Sequence, residues 1–165
     1  LKPELNLDHL IRTMENGLRE YLNLDPLMIG IHTGGVWIAE SLHRTLQMSE
    51  PLGTLDISFY RDDFTRIGVH PEVKASHLPM DVNERHVLLI DDVLHTGRTT
   101  RAAMNVIFDY GRPSSIKLAV LVERNGRELP VQPDVVGTSL RLDARQHVKL
   151  SGPESLSLNI AEKAA

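Results

Sequence analysis

The sequence predicts an α/β fold: a mostly parallel sheet flanked by helices, with a small β-rich unit appended. Three observations carry that prediction. Short apolar runs, LMIGI at 27–31, HVLLI at 86–90 and SIKLAVLVE at 115–123, read as buried strands. The first two are each followed by a glycine turn and then by a stretch of helical periodicity, which is a repeated βα pattern. Finally, 165 residues with 41% hydrophobic content suit one domain with a single core.

Element by element, Leu7, Leu10, Ile11, Met14, Leu18, Tyr21 and Leu22 recur at helical spacing over about four to five turns. Asp8 serves as an early cap or first-turn charge. LMIGI is bounded by Pro26 and the Thr33-Gly34-Gly35 turn, and 36–47 returns to a helical period through Val36, Ala39, Leu42 and Leu46. GTLDISFY at 53–60 alternates like a half-exposed strand. The segment 61–81 has no sustained period and two prolines, a length more often met in a functional lid or a disordered stretch than in an ordinary connection. RTTRAAMNVIFDYG forms a helix closed by Gly111 and Pro113. LPVQPDVVGTSL and QHVKLSGP are broken β-like pieces, read as a small subdomain or edge hairpin and not as another βα unit. The expectation is one domain over 1–165, with a lid at about 61–80 and a hood at about 124–152.

Composition narrows the function classes. No cysteine is present, which removes disulfide scaffolds and thiolate metal sites. No apolar run approaches the ~18 residues of a membrane span, and the first residues lack a signal-peptide core, so the expectation is a cytoplasmic protein without a membrane partner. A net charge of −4 argues against indiscriminate polyanion binding while leaving room for a local phosphate site.

In parallel sheets, ligands lie outside the carboxyl ends of the strands, which directs attention to the turns after Ile31 and Ile90. In the second turn, Gly97 stands between Thr96 and Arg98 just before a helix. Backbone amides and the Thr96 and Thr99 hydroxyls can converge there on one phosphate. Neither a GxxxxGK[ST] loop nor a GxGxxG fingerprint is present. Asp91 and Asp92 repel a phosphate, so they call for hydroxyls or a cation; a sugar phosphate satisfies both demands. An Asp before a helix or a Thr-Gly pair alone is more often a cap or a turn. Their conjunction behind four apolar residues is what favours a site.

VLLIDDVLHTGRT resembles the phosphoribosyl-pyrophosphate (PRPP) signature of type I phosphoribosyltransferases. With FYRDDF and GRPSSIKLAVLVERNGRELPVQPDVVG, it is similar specifically to the PyrR family of pyrimidine operon regulators that are also uracil phosphoribosyltransferases. The resemblance spans roughly 7–150. It implies that Asp91 and Asp92 hold the ribose hydroxyls of PRPP or UMP, while Val93, Leu94, His95, Thr96, Gly97, Arg98 and Thr99 wrap the 5′-phosphate. Thr33 and Gly34 would face pyrophosphate, and Arg61 would open the lid. Asp91, Asp92 and Arg98 form the implied catalytic set, and the hood would cover the base. Mg²⁺ is the implied cofactor, held mainly by PRPP oxygens, with Asp91 and Asp92 assisting directly or through water. Related enzymes commonly form dimers or larger homo-oligomers.

Two departures keep two readings open. PyrR-like chains commonly carry Thr-Arg-Gly in the first turn, where this chain has Thr33-Gly34-Gly35, leaving pyrophosphate to loop amides and to Arg61 or Arg98. His95 stands where purine-specific relatives often have an acid. It reads either as a proton-transfer group or as a solvent-facing loop residue. One reading is a uracil phosphoribosyltransferase making UMP and pyrophosphate from uracil and PRPP. The other is a UMP- or PRPP-sensing regulator of pyrimidine-operon leader RNA, for which Arg145, His147 and Lys149 form the best basic edge. Gly34 favours the regulator; the acidic balance favours the enzyme.

Overall fold

The computed structural model describes residues 5–57 and 76–164. Strands β1 (Leu27–Ile31), β2 (Gly53–Leu55), β3 (His86–Leu94), β4 (Ser115–Arg124) and β5 (Val135–Leu140) make a parallel sheet in the order β2-β1-β3-β4-β5. Because side chains alternate across a strand, even the fully apolar strands sort their residues between two cores. Met28, Leu88, Ile90, Ala119 and Leu121 face helices α1 (Leu7–Leu18) and α2 (Gly34–Thr45). Leu27, Ile29, Val87, Leu89, Leu118 and Val120 face α3 (Arg98–Tyr110) through Ala102, Ala103, Val106 and Ile107. Helices thus cover both faces, as the βα repeat requires.

Several boundaries differ from those read in the sequence. The first helix is α-helical only to Leu18 and continues as a 3-10 turn over Arg19–Leu24. Asn6 is its N-cap, accepting from His9 N–H at 3.0 Å, and Asp8 is a first-turn charge. The expected half-exposed strand at 53–60 is β2, only three residues long. Leu55, Asp56 and Ile57 are all buried, because 76–77 runs along its outer edge: Thr54 and His77 exchange two 2.8 Å backbone bonds. Leu78 and Met80 pack on the α3-side core. Positions 58–75, with Arg61 and most of the expected lid, lie outside the described residues.

The largest correction concerns the C-terminal third. Val135–Leu140 is not part of a separate subdomain but the fifth parallel strand, in register with β4 from Ala119↔Val135 to Arg124↔Leu140. The appended unit is an antiparallel hairpin of β6 (Gln146–Ser151) and β7 (Ser157–Glu162), so the β-rich hairpin shares its first strand with the expected hood at 124–152 and extends past it. Gly111 closes α3 by donating to Ile107 O, but in extended backbone (φ 164°). It is glycine because a Cβ there would meet Asn83 Oδ1 at 2.6 Å. No helix among the described residues is long and apolar enough to cross a membrane.

Candidate functional site

The strand order reverses direction at β1 and β3: the chain moves outward to β2 from one and to β4 from the other. Connections leaving neighbouring strands on opposite sides open a crevice at their carboxyl ends. A cavity of about 300 Å³ lies there, within the usual range for ligand sites.

From β1 come His32, Thr33 and Gly34. The His32–Thr33 peptide is cis, and His32 N–H donates to Leu55 O at 2.8 Å. Helix α2 starts directly against β3. A Cβ on Gly34 would lie 2.7 Å from Asp92 Cγ and 3.1 Å from its Cβ, and one on Gly35 2.7 Å from Ile90 O. Glycines here permit close approach. In place of the arginine of PyrR-like chains, Gly34 leaves room for the Asp92 carboxylate.

β3 continues past the paired acids to Leu94, so they belong to the strand and do not follow it. Strict alternation breaks here, since Ile90 and Val93 both pack on the α2-side core, and both carboxylates approach the start of α2: a Cβ on Gly35 would lie 3.2 Å from Asp91 Oδ1. Asp91 is buried and accepts Asp92 N–H at 2.8 Å; Asp92, on the α2 side, accepts Val93 N–H at 3.0 Å. The partial positive charge at the N-terminus of α2 faces Asp92. These contacts offset the repulsion expected of neighbouring acids.

The second turn is held from behind. Gly97 has φ +92°, a left-handed conformation that suits glycine, and Arg98 N–H donates to Thr96 Oγ1 at 3.2 Å. Thr96 O accepts from both Glu128 N–H (2.9 Å) and Leu129 N–H (3.1 Å). Arg127 donates to His95 O, to Val131 O at 2.8 Å and to Glu123 Oε1. Arg98 Nε pairs with Glu128 Oε2 at 2.7 Å.

Of the residues singled out in the sequence, Thr33, Gly34, Asp91, Asp92, Val93, His95 and Thr99 line the cavity. Leu94 does not; it is in the core on the α3 side. Thr96 and Gly97 shape the loop without lining the cavity, and Arg98 directs its guanidinium to Glu128. Arg61 lies outside the described residues. Sequence reasoning missed His32, Val148 and two basic residues, Arg124 and His147, which also line the cavity. Arg124 is 7% exposed, and its Nη1 donates to Gln146 O at 2.7 Å. The supposed basic edge therefore splits: Arg145 and Lys149 are exposed, whereas His147 turns inward with Nδ1 buried. Burial, followed by the charge of Arg124, pushes His95 below the ordinary histidine range. Among the described residues, no group of three or more His, Cys, Asp or Glu is placed to hold a metal.

Residues 4–154 match the model of the phosphoribosyl transferase domain family. The Bifunctional protein PyrR of Nitrosococcus oceani is 57% identical, covering 94% of this chain and 92% of its own length. That of Pseudomonas paraeruginosa is 51% identical over 96% and 90%. Among solved structures, a purine phosphoribosyltransferase from Pyrococcus horikoshii superposes with TM-score 0.63 at 25% identity, covering 90% of this chain and 93% of that one. A hypoxanthine phosphoribosyltransferase from Staphylococcus aureus gives TM-score 0.64 at 19% identity, over 86% and 78%. The site at the β1/β3 switch point thus sits in a shared fold, and by its sequence the chain belongs to the PyrR family of phosphoribosyltransferases.

Proposed function

We infer that the protein is a uracil phosphoribosyltransferase, forming UMP and pyrophosphate from uracil and PRPP with Mg²⁺. The observation that carries this reading is the placement of Asp91 and Asp92 in one cavity with Thr99 of the braced second turn. The acids suit vicinal ribose hydroxyls, and the turn at the start of α3 suits a 5′-phosphate. In the reaction, uracil N1 bonds to the anomeric carbon, the bond from that carbon to pyrophosphate breaks, and the N1 proton departs. Such a step needs positioning, leaving-group stabilisation and exclusion of water more than a protein nucleophile.

Asp91 and Asp92 would help hold Mg²⁺, directly or through water, with PRPP oxygens completing its shell, and the ion would supply charge for the departing pyrophosphate. Arg98, engaged with Glu128, supports the loop, and charge for the leaving group falls to Mg²⁺, the Thr33-Gly34 amides and Arg61. Incubating the protein with Mg²⁺, PRPP and uracil, hypoxanthine, guanine or orotate tests this reading: UMP should appear with uracil alone. No turnover with any base, alongside tight UMP binding, would sink it.

Gly34 favours a second reading, a UMP- or PRPP-sensing regulator of pyrimidine-operon leader RNA with weak catalysis. With the Asp92 carboxylate against Gly34, the first turn presents no cation of its own. Exposed Arg141, Arg145 and Lys149 supply a short basic surface. Leader-RNA binding that UMP strengthens, measured across salt concentrations, supports this reading; affinity equal to that for scrambled RNA removes it. Either function fits a cytoplasmic homo-oligomer, and exposed Phe108 and Tyr110 at the end of α3 offer an apolar contact for a second copy.

A further inference from the structure

Two basic side chains from distant parts of the chain, Arg124 and His147, line the cavity, and the sugar-phosphate reading above uses neither. Arg124, at the end of β4, is charged yet buried. Nη1 donates to Gln146 O at 2.7 Å and Nε to Asn125 O at 3.4 Å, which leaves further guanidinium donors unassigned. His147 follows Gln146 on β6. Among the described residues, its Nδ1 is the one buried side-chain nitrogen or oxygen without a hydrogen-bond partner. Native proteins seldom leave such an atom unpaired unless something else completes it. The bond from Arg124 to the carbonyl of Gln146 fixes where the next residue begins, so the two groups are presented together. One is a permanent donor; the other accepts when its ring proton sits on Nε2.

A donor beside an acceptor complements a ring edge that carries a carbonyl oxygen next to an N–H. The pyrimidine-2,4-dione edge has that pattern in O4 and N3–H, and cytosine, with an amino group and a bare N3, reverses both. We propose that Arg124 and His147 are the base-reading pair of this site, Arg124 donating to an exocyclic carbonyl and His147 Nδ1 accepting from N3–H. The proposal rests on the uridylate reading above. It gives the cavity two chemically distinct ends, ribose at Asp91 and Asp92 and base at Arg124 and His147. It also gives the buried charge a second use: as N1 loses its proton, the negative charge delocalises onto the exocyclic oxygens, where Arg124 stabilises it. A site built around such hydrogen bonds rejects the wrong edge strongly, because a mismatch leaves buried groups unpaired.

Calorimetry on the full chain with UMP, CMP, N3-methylated UMP and ribose 5-phosphate tests the pair. The wild type should prefer UMP to both CMP and the methylated ligand by at least about tenfold. His147→Ala should bind UMP and its N3-methyl form alike. Arg124→Gln should weaken UMP at least about tenfold while ribose 5-phosphate changes by no more than about twofold. Equal losses for UMP and ribose 5-phosphate would reduce Arg124 to a fastener of β6 and overturn the proposal, as would a preference for UMP over CMP that survives both substitutions. If Arg124→Gln does not fold, the methylation result with His147→Ala decides alone. A wild type that binds ribose 5-phosphate without preference among bases overturns the pair and leaves the sugar-phosphate site standing. One that binds neither UMP nor ribose 5-phosphate overturns the uridylate reading and the proposal with it.

Discussion

The two turns at the mouth of the sheet are built in opposite ways. The turn after β3 is held by backbone and side chains together, with two N–H groups on Thr96 O, the Arg127 clamp and the Arg98–Glu128 pair. The turn after β1 is placed by close packing instead: two glycines bring α2 against the acids, His32 N–H donates to Leu55 O at 2.8 Å, and Trp37 N–H reaches Thr33 O at 3.5 Å. The difference teaches which part of a ligand the protein prepares for in advance. On the proposed reading, the second turn is the sugar-phosphate end and is preorganised, so binding there would require little further ordering. The first turn would then be the pyrophosphate end, completed by the ligand and its cation.

The sharpest way to break this comparison is to remove the acids. Asp91→Asn with Asp92→Asn should weaken UMP and PRPP by about a hundredfold or more, since each charge-assisted hydrogen bond contributes about 1.5–3 kcal/mol. Affinity retained in calorimetry would refute their assigned role. Next comes the first turn. Gly34→Ala pushes a methyl group into the Asp92 carboxylate and should cost about 1–3 kcal/mol of stability. In an Asp92→Ala background the same substitution should cost less, because the carboxylate it displaces is gone. Denaturant melts of the four proteins measure that coupling, and strict additivity would mean that Gly34 is not placed by Asp92.

The second turn separates bracing from chemistry. Arg98 and Glu128 are both about half exposed, so Arg98→Met should lower stability by no more than about 1 kcal/mol. Turnover should fall by less than about tenfold, the equivalent of roughly 1.4 kcal/mol. A collapse in kcat with KM unchanged would return Arg98 to the catalytic set that the family signature implies.

What the sequence could show depended on whether a feature is local. β1, β3, β4 and α3 were legible because apolar runs and glycine turns mark them within a few residues. β5 was not: VVGTSL has a proline two residues upstream and a glycine inside, and its place depends on pairing with β4 and on Val135 packing against Gly17 of α1. Asp56 looked like the polar half of an alternating strand, but it is buried where Ser76 donates to its carbonyl and accepts from its N–H. The acids and the Thr-Gly turn stood out by spacing. Arg124 and His147 carry no such mark, because a buried arginine and a solvated one are the same letter until the hairpin folds over the sheet.

The smallest expected effect lies where the braced turn meets the hood. A Cβ on Gly126 would sit 2.7 Å from His95 Nε2, so the imidazole lies close over that backbone. Burial lowers its pKa first and the charge of Arg124 lowers it further, while Glu128 opposes. A histidine with a depressed folded pKa contributes its full stability above the unfolded value of about 6.5 and loses it as pH falls through the folded value. Since His95 is exposed over much of its surface, this slope should be shallow. The directions are the test. In NMR titrations, Arg124→Gln should raise the His95 pKa by removing a cation, and Glu128→Gln should lower it by removing an anion. Shifts of the same sign would show that neither charge governs the ring. If the acidic limb of turnover follows the Glu128→Gln displacement downward, neutral His95 is the group that accepts the uracil proton; a limb that stays fixed leaves that proton to solvent.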